Sequence, residues 1–177
     1  MRLATLGVLC SVLLIGRTSE AAIPKLQSPI PGHCLTDYYH VRAHIPKPGA
    51  SKFHKADDLR ASCGTPVKAA ADGRVSFAKW NRGYGWEVEI DHGNGMRTRY
   101  AHLSKGSFAV KPGQTVSVGQ QIARSGNSTS IKGGLPCHLH FEVLKNGNKI
   151  DPEPLFKFPF CPGHGPKRGS GGSFIGR

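Results

Sequence analysis

His138-Leu139-His140-Phe141-Glu142-Val143-Leu144, preceded by Cys137, alternates polar and apolar side chains. On a β-strand, residues i and i+2 point the same way. His138 and His140 therefore project from one face, with their imidazoles a few ångströms apart. Leu139, Phe141 and Val143 project from the other face, where a core sits. Packing does not require two histidines side by side. A metal does, because neutral imidazole is the commonest metal ligand. The competing reading is a polar strand face that happens to carry two histidines.

Working outward, the chain reads as all-β from residue 64 onward. Residues 65–70 (Thr-Pro-Val-Lys-Ala-Ala) form a strand with proline at its start, where no ladder bond is lost. Asp72-Gly73 is a turn signal of hairpin type, and residues 74–80 alternate as the return strand. Further strands fall at 86–90 and 97–103. In the last of these Tyr100 and His102 share a face, which in a common sheet is the metal face. Short strands surround Gly119, a polar loop covers residues 125–129, and Lys145-Asn146-Gly147-Asn148 closes a final hairpin. No long helical periodicity and no internal repeat appears. Short strands separated by Gly and Pro turns predict antiparallel sheets arranged as a barrel or sandwich.

A chain of 177 residues is enough for one domain with a real core. Its first 21 residues are a secretory signal peptide by order: Arg2, an apolar run over 3–15 that includes Cys10, then Arg17-Thr18-Ser19-Glu20 and a small-residue site at Ala21. The run is too short to span a bilayer, and no other stretch is long and apolar enough. The expectation is an exported protein, in periplasm, cell wall or medium, with no transmembrane segment. Residues 22–36, rich in proline, read as an extended lead-in, 37–157 as the domain, and 158–177 as a basic, glycine-rich, disordered tail. Beyond the leader Cys34, Cys63, Cys137 and Cys161 remain; an even count in an exported chain predicts two disulfides, with three connectivities open.

The net charge is +13, from 24 Lys and Arg against 11 Asp and Glu. Such a balance favours polyanionic partners. The cations are scattered and no nucleic-acid-binding motif is present, so anionic wall polymers or plain solubility explain the charge better than specific nucleic-acid binding.

A second chemical cluster lies in Phe53-His54-Lys55-Ala56-Asp57-Asp58-Leu59. His54 and Asp58 are four apart, which on a helix places them on one face. Pro and Gly on both sides argue against a long helix, and a loop entering a strand also brings the two together. A solvated group of surface charges is the bland alternative. With His54, Asp58 and His140 as three protein ligands, the fourth tetrahedral position of zinc is open to water, the pattern of a catalytic rather than a structural site. Amide hydrolysis also needs a group that takes and returns protons and a donor for the tetrahedral oxyanion. His138 stands beside the metal by strand geometry, and His102 can be brought alongside; no His-Glu-x-x-His is present to supply a glutamate base.

Several of these segments together resemble the lysostaphin-type zinc endopeptidases that cut peptidoglycan cross-links, over residues 39–152. The family's His-x-x-x-Asp appears as His54 to Asp58, and its Gly-Thr-Pro-Val-x-Ala-Ala-x-Asp-Gly-x-Val as residues 64–75. Tyr-Ala-His-Leu-Ser stands at 100–104, Lys111-Pro112-Gly113-Gln114 and Val118-Gly119-Gln120 follow in order, and His-Leu-His-Phe-Glu-Val stands at 138–143. The resemblance implies one zinc per chain held by His54, Asp58 and His140, catalysis by His102 and His138, and a β-rich fold with a groove for an extended peptide. It also suggests pairing Cys63 with Cys137 and Cys34 with Cys161. Three departures stand out: Ala56 where the family has glycine, Asp57 where it has an aliphatic residue, and Pro136-Cys137 in place of Gly-Pro. Asp57 is thus a candidate competing carboxylate. The expected protein is a monomeric, secreted zinc endopeptidase acting on peptidoglycan stem peptides or bridges. The alternative is a non-catalytic wall-binding or regulatory protein that keeps the fold.

Overall fold

The computed structural model describes residues 24–41, 52–130, 134–155 and 158–164. The proposed signal peptide and the last part of the basic tail lie outside these. Among the described residues there is no helix. Twelve strands occur: β1 (Leu35–Asp37), β2 (His40–Val41), β3 (Phe53–His54), β4 (Asp57–Arg60), β5 (Pro66–Lys68), β6 (Gly73–Asn81), β7 (Gly85–Asp91), β8 (Met96–Leu103), β9 (Thr115–Val116), β10 (Gln121–Arg124), β11 (His138–Lys145) and β12 (Asn148–Ile150).

Eight of them form one antiparallel sheet in the order β1-β4-β11-β8-β7-β6-β9, with β12 paired to β11. Two small sheets, β10-β5 and β2-β3, complete the set. The alternation read from the sequence fixes the two faces. Leu139 and Phe141 on β11, Leu59 on β4, Tyr100 on β8 and Val88 and Ile90 on β7 are fully buried in one core. Direct register pairs such as Leu139↔Leu59 and Phe141↔Tyr100 place their side chains together on the core face. The opposite face carries Asp58, His140, Glu142, Arg99 and Glu89, joined by the pairs His140↔Asp58, Glu142↔Arg99 and Glu89↔Arg99.

The structure departs from the sequence reading in four places. The segment ahead of the domain is part of it: Leu26 and Ile30 are buried in the core, Gln27 N–H donates to Ala70 O and Lys68 N–H to Pro29 O. At the other end, Phe158 and Phe160 pack on the core and Cys161 is buried, so residues 158–161 are structure rather than tail. Leu35 N–H donates to Pro159 O and Cys161 N–H to Leu35 O, which sews this end to β1. Asp72-Gly73 does not close a hairpin. β5 pairs with β10, and β6 pairs with β7 and β9. Asp72 is instead a cap for other segments, its Oδ1 accepting from Val118 N–H and its carbonyl lying 2.7 Å from His92 Nδ1. Finally, Tyr100 does not face the metal cluster; it is a core residue, its ring 5.3 Å from Phe141.

Both suggested disulfides form, Cys34–Cys161 and Cys63–Cys137. The second closes the end of the β4–β11 pair, just beyond the register partners Arg60 and His138.

Candidate metal centre

His54, Asp58 and His140 come together from three elements. β3 ends at His54, a two-residue connection leads into β4, and Asp58 lies directly opposite His140 on β11. One ligand atom from each lies within 4.8 Å of the others. Asp58 Oδ1 is 2.9 Å from His140 Nδ1 and 3.3 Å from His54 Nε2. Ligands bound tetrahedrally at about 2.0–2.2 Å stand about 3.4 Å apart, so the spacing suits a zinc ion.

The tautomers make the same point. His54 Nδ1 is 3.0 Å from the Tyr38 carbonyl, which can only accept, so Nδ1 carries the proton. In the neutral ring this makes Nε2 an acceptor; it is buried, without a hydrogen bond among the described residues, and aimed at a carboxylate oxygen. Two acceptors facing each other in a buried site call for a cation between them. His140 is held at both nitrogens, Nδ1 by Asp58 and Nε2 by Glu142 Oε1 at 3.1 Å. Burial alone would lower the His140 pKa, but the two carboxylates push it up to about 9. Burial likewise opposes ionisation of Asp58, yet the imidazoles of His140 and His54 hold its carboxyl well below the usual range. Without a metal, His140 and Asp58 thus stand as an imidazolium–carboxylate pair, and a bound cation would take the place of the proton between them.

His102 and His138 flank this cluster. Their ring centroids are 4.9 Å apart, and His102 is 5.4 Å from His140. His138 Nε2 is 3.7 Å from Asp58 Oδ1. Both histidines are pinned the same way: His102 Nδ1–H donates to Ser128 O (2.7 Å) and His138 Nδ1–H to Pro136 O (2.8 Å). With Nδ1 tied to the backbone, Nε2 is the ring nitrogen that each histidine turns to the site. Burial and the neighbouring His140 and His138 depress the His102 pKa to about 3, so it is neutral at physiological pH.

The path of His102 into the site is a backbone feature that alternation does not reveal. The β7–β8 register shifts between the pairs Val88↔Tyr100 and Trp86↔Leu103, leaving a bulge at Ala101 and His102. His102 takes φ 59°, and its N–H donates to Tyr84 O. Tyr100 and Leu103 thus both enter the core while His102 turns to the other face. Ser128, which orients His102, also accepts the Trp86 N–H at its Oγ. It lies so close to Gly85, at φ 70°, that a Cβ there would overlap it.

Asp57, the suspected competing carboxylate, points away. It is the register partner of Phe141, so its side chain enters the core face. There Oδ1 accepts the Tyr39 N–H and Oδ2 has no hydrogen-bond partner among the described residues. Burial pushes its pKa up to about 7.

Sequence reading did not assign a role to Glu142, Lys149 or Tyr84. Glu142 is 1% exposed and receives His140, Lys149 Nζ (2.7 Å) and Arg99 (2.9 Å). Lys149 Nζ also donates to Tyr84 Oη at 2.6 Å, and the Tyr84 ring lies 5.9 Å from His140. The one signal for Glu142 was its place two residues after His140 on the same strand face.

Residues 52–152 match the model of peptidase family M23, more than half of the chain. The chain belongs to this family. Among curated M23 relatives, the peptidoglycan DD-endopeptidase ShyC of Vibrio cholerae is 35% identical over 137 residues, 77% of this chain and 30% of that protein. The murein hydrolase activator EnvC of Escherichia coli is 43% identical over 96 residues, 54% of this chain and 22% of its own. The chain thus spans less than a third of the length of these relatives. The crystal structure of the catalytic domain of lysostaphin from Staphylococcus simulans superimposes with a TM-score of 0.56 at 31% identity, covering 67% of this chain and 88% of that domain. The lysostaphin-type resemblance and the all-β architecture are borne out.

Proposed function

We propose that this M23 chain is an exported zinc endopeptidase that hydrolyses peptide bonds in peptidoglycan stem peptides or cross-bridges. The observation that carries the reading is the buried, unpartnered Nε2 of His54 facing Asp58, with His140 completing the triad and His102 and His138 alongside. His54, Asp58 and His140 would hold one zinc. When bound, zinc activates water at neutral pH and polarises a carbonyl as a Lewis acid.

The remaining work falls to two histidines. Imidazoles whose Nδ1–H is tied to a backbone carbonyl turn Nε2 toward the cluster in a fixed orientation. One accepts the proton of the attacking water. That proton is returned to the leaving amine, while the other histidine, entering as the imidazolium with a proton taken from solvent, donates to the tetrahedral oxyanion. The peptidoglycan substrate rests on ShyC, and export on the two disulfides and on the extracytoplasmic place of peptidoglycan. EnvC marks the other course open to the fold, a regulator of hydrolases. The intact set of five residues favours hydrolysis. The scattered cations suit an anionic wall polymer as a secondary partner.

The test is zinc content and release of soluble muropeptides from isolated peptidoglycan, for the wild-type chain beside His140→Ala. The expected result is about one zinc per chain, as a three-ligand site predicts, with hydrolysis, and neither in the variant. Zinc without release from several wall types would turn the reading to regulation. Absence of zinc would remove the metal assignment.

A further inference from the structure

His140 offers two nitrogens, and which one meets a metal decides where the metal sits. The sequence leaves both possible; the contacts of Glu142 do not. Glu142 lies two residues along β11 on the same face, and its Oε1 is 3.1 Å from His140 Nε2. Both ring nitrogens face carboxylates, but Asp58 belongs to the candidate ligand set and Glu142 does not: with Nε2 taken up by Glu142, it is Nδ1, 2.9 Å from Asp58 Oδ1, that lies on the cluster side.

Glu142 is itself fixed on every side. Lys149 Nζ donates to the same Oε1 at 2.7 Å, and Arg99 donates to Oε2 at 2.9 Å. With 1% exposure it cannot rotate into solvent. Lys149 comes from β12, and its second donation, to Tyr84 Oη, fixes its ammonium from the far side. Arg99 lies with its guanidinium 4.8 Å from the Tyr84 ring.

We propose that Glu142 is a positioning residue for His140, and that Lys149 holds it in that role. Glu142 fixes the tautomer and rotation of the His140 ring so that Nδ1 faces the metal. The inference rests on the reading of His140 as a ligand. A carboxylate behind a ligating imidazole also raises its basicity, and loss of such a partner typically weakens metal affinity ~10–100-fold. The alternative is that Glu142 merely neutralises Arg99 and Lys149 inside the sheet. That role would move stability and leave the metal untouched.

The experiment compares the wild-type full chain with Glu142→Gln, Glu142→Ala, Lys149→Met and His140→Ala. Zinc affinity is measured by competition with a chromophoric chelator. ¹⁵N-histidine NMR of the zinc-loaded chain reports which ring nitrogen is ligated and which is protonated. Expected are ligation at Nδ1 with a protected Nε2–H in the wild type, and affinity lower by ~10–100-fold in Glu142→Ala. Glu142→Gln, which can still accept at its carbonyl oxygen, and Lys149→Met should show smaller losses in the same direction. Folded Glu142 variants with wild-type zinc affinity and an unchanged His140 spectrum overturn the proposal. If the Glu142 variants do not fold, unchanged affinity in Lys149→Met overturns it. Zinc bound as tightly by His140→Ala as by the wild type would instead remove the underlying assignment of His140.

Discussion

Asp58 and His140 are register partners across the β4–β11 ladder, and their side chains meet at 2.9 Å between Oδ1 and Nδ1. Strand pairing itself brings the two side chains together. Asp58→Ala should therefore leave the fold intact while lowering zinc affinity beyond the ~10–100-fold that loss of an outer-sphere partner costs. A chelator competition titration measures it. An affinity equal to that of the wild type would show that Asp58 does not bind the ion.

Among the described residues His102 makes no hydrogen bond to the three candidate ligands; its ring Nδ1 is tied to Ser128 O. Its loss should separate chemistry from metal binding. His102→Ala is expected to retain full zinc content and to lose about 10²- to 10⁴-fold in turnover, the usual share of a general acid–base group. Metal analysis and initial rates on one preparation decide the matter. Loss of zinc together with activity would move His102 from proton transfer to ligation.

Removing zinc should also destabilise the protein, because the buried His54 Nε2 is left facing Asp58 Oδ1 with no cation between them. A ligand that binds only the folded state adds about 2.7 kcal/mol at a free concentration 100 times its Kd. Thermal unfolding across a zinc series should show a midpoint that climbs with the logarithm of free zinc. A flat midpoint would contradict binding at this site.

Away from the cluster, His92 provides a pH test in the zinc-free chain. Burial lowers its pKa below the ordinary 6.5 or so, between Asp72 O and Thr98 Oγ1, each 2.7 Å away. The folded state keeps this ring neutral, while the unfolded chain takes up a proton below about pH 6.5. Its contribution is thus present above that pH and is lost as pH falls. The stability advantage of wild type over His92→Gln, from urea unfolding, should be larger at pH 7.5 than at pH 5.5. An advantage independent of pH would rule out titration of His92.

The Cys63–Cys137 bond spans 74 residues of sequence and ends one residue before His138. Chain-entropy reasoning gives such a crosslink about 2–5 kcal/mol. Urea unfolding of Cys63→Ser/Cys137→Ser should show a loss of this size. Hydrolysis should suffer more than zinc binding, since His138 is the nearer residue. Unchanged activity would mean that the β4–β11 ladder alone positions His138.

Much of the site was legible because it obeys strict periodicity. His138 and His140 needed only the two-residue repeat, and Leu139, Phe141 and Val143 on the opposite face are all fully buried. What escaped depends on departures from that repeat. Tyr100 and His102 were read on one face, but a bulge with positive φ at His102 sends them to opposite faces. The pairing of β5 with β10 joins segments some fifty residues apart and leaves no local trace in either. Leu26 and Ile30 in the core, and Phe158 and Phe160 packed against it, sit in proline-rich surroundings without periodicity, so only their packing reveals them. Glu142 was quoted as part of a motif, yet its role depends on Lys149 and Arg99, brought in by other strands.

The bond between Cys34 and Cys161 joins backbone points 4.9 Å apart, 127 positions distant along the chain. Everything from His54 to His140 lies inside the closed loop this makes. A protease that severs one peptide bond anywhere within it yields no separate fragments, and all five residues stay tethered to the same framework. Between Cys63 and Cys137 a second closed loop adds a further restraint. Gel mobility without reductant would therefore hide a nick that a reducing gel exposes, and a nicked molecule retains a covalent route back to the same assembly.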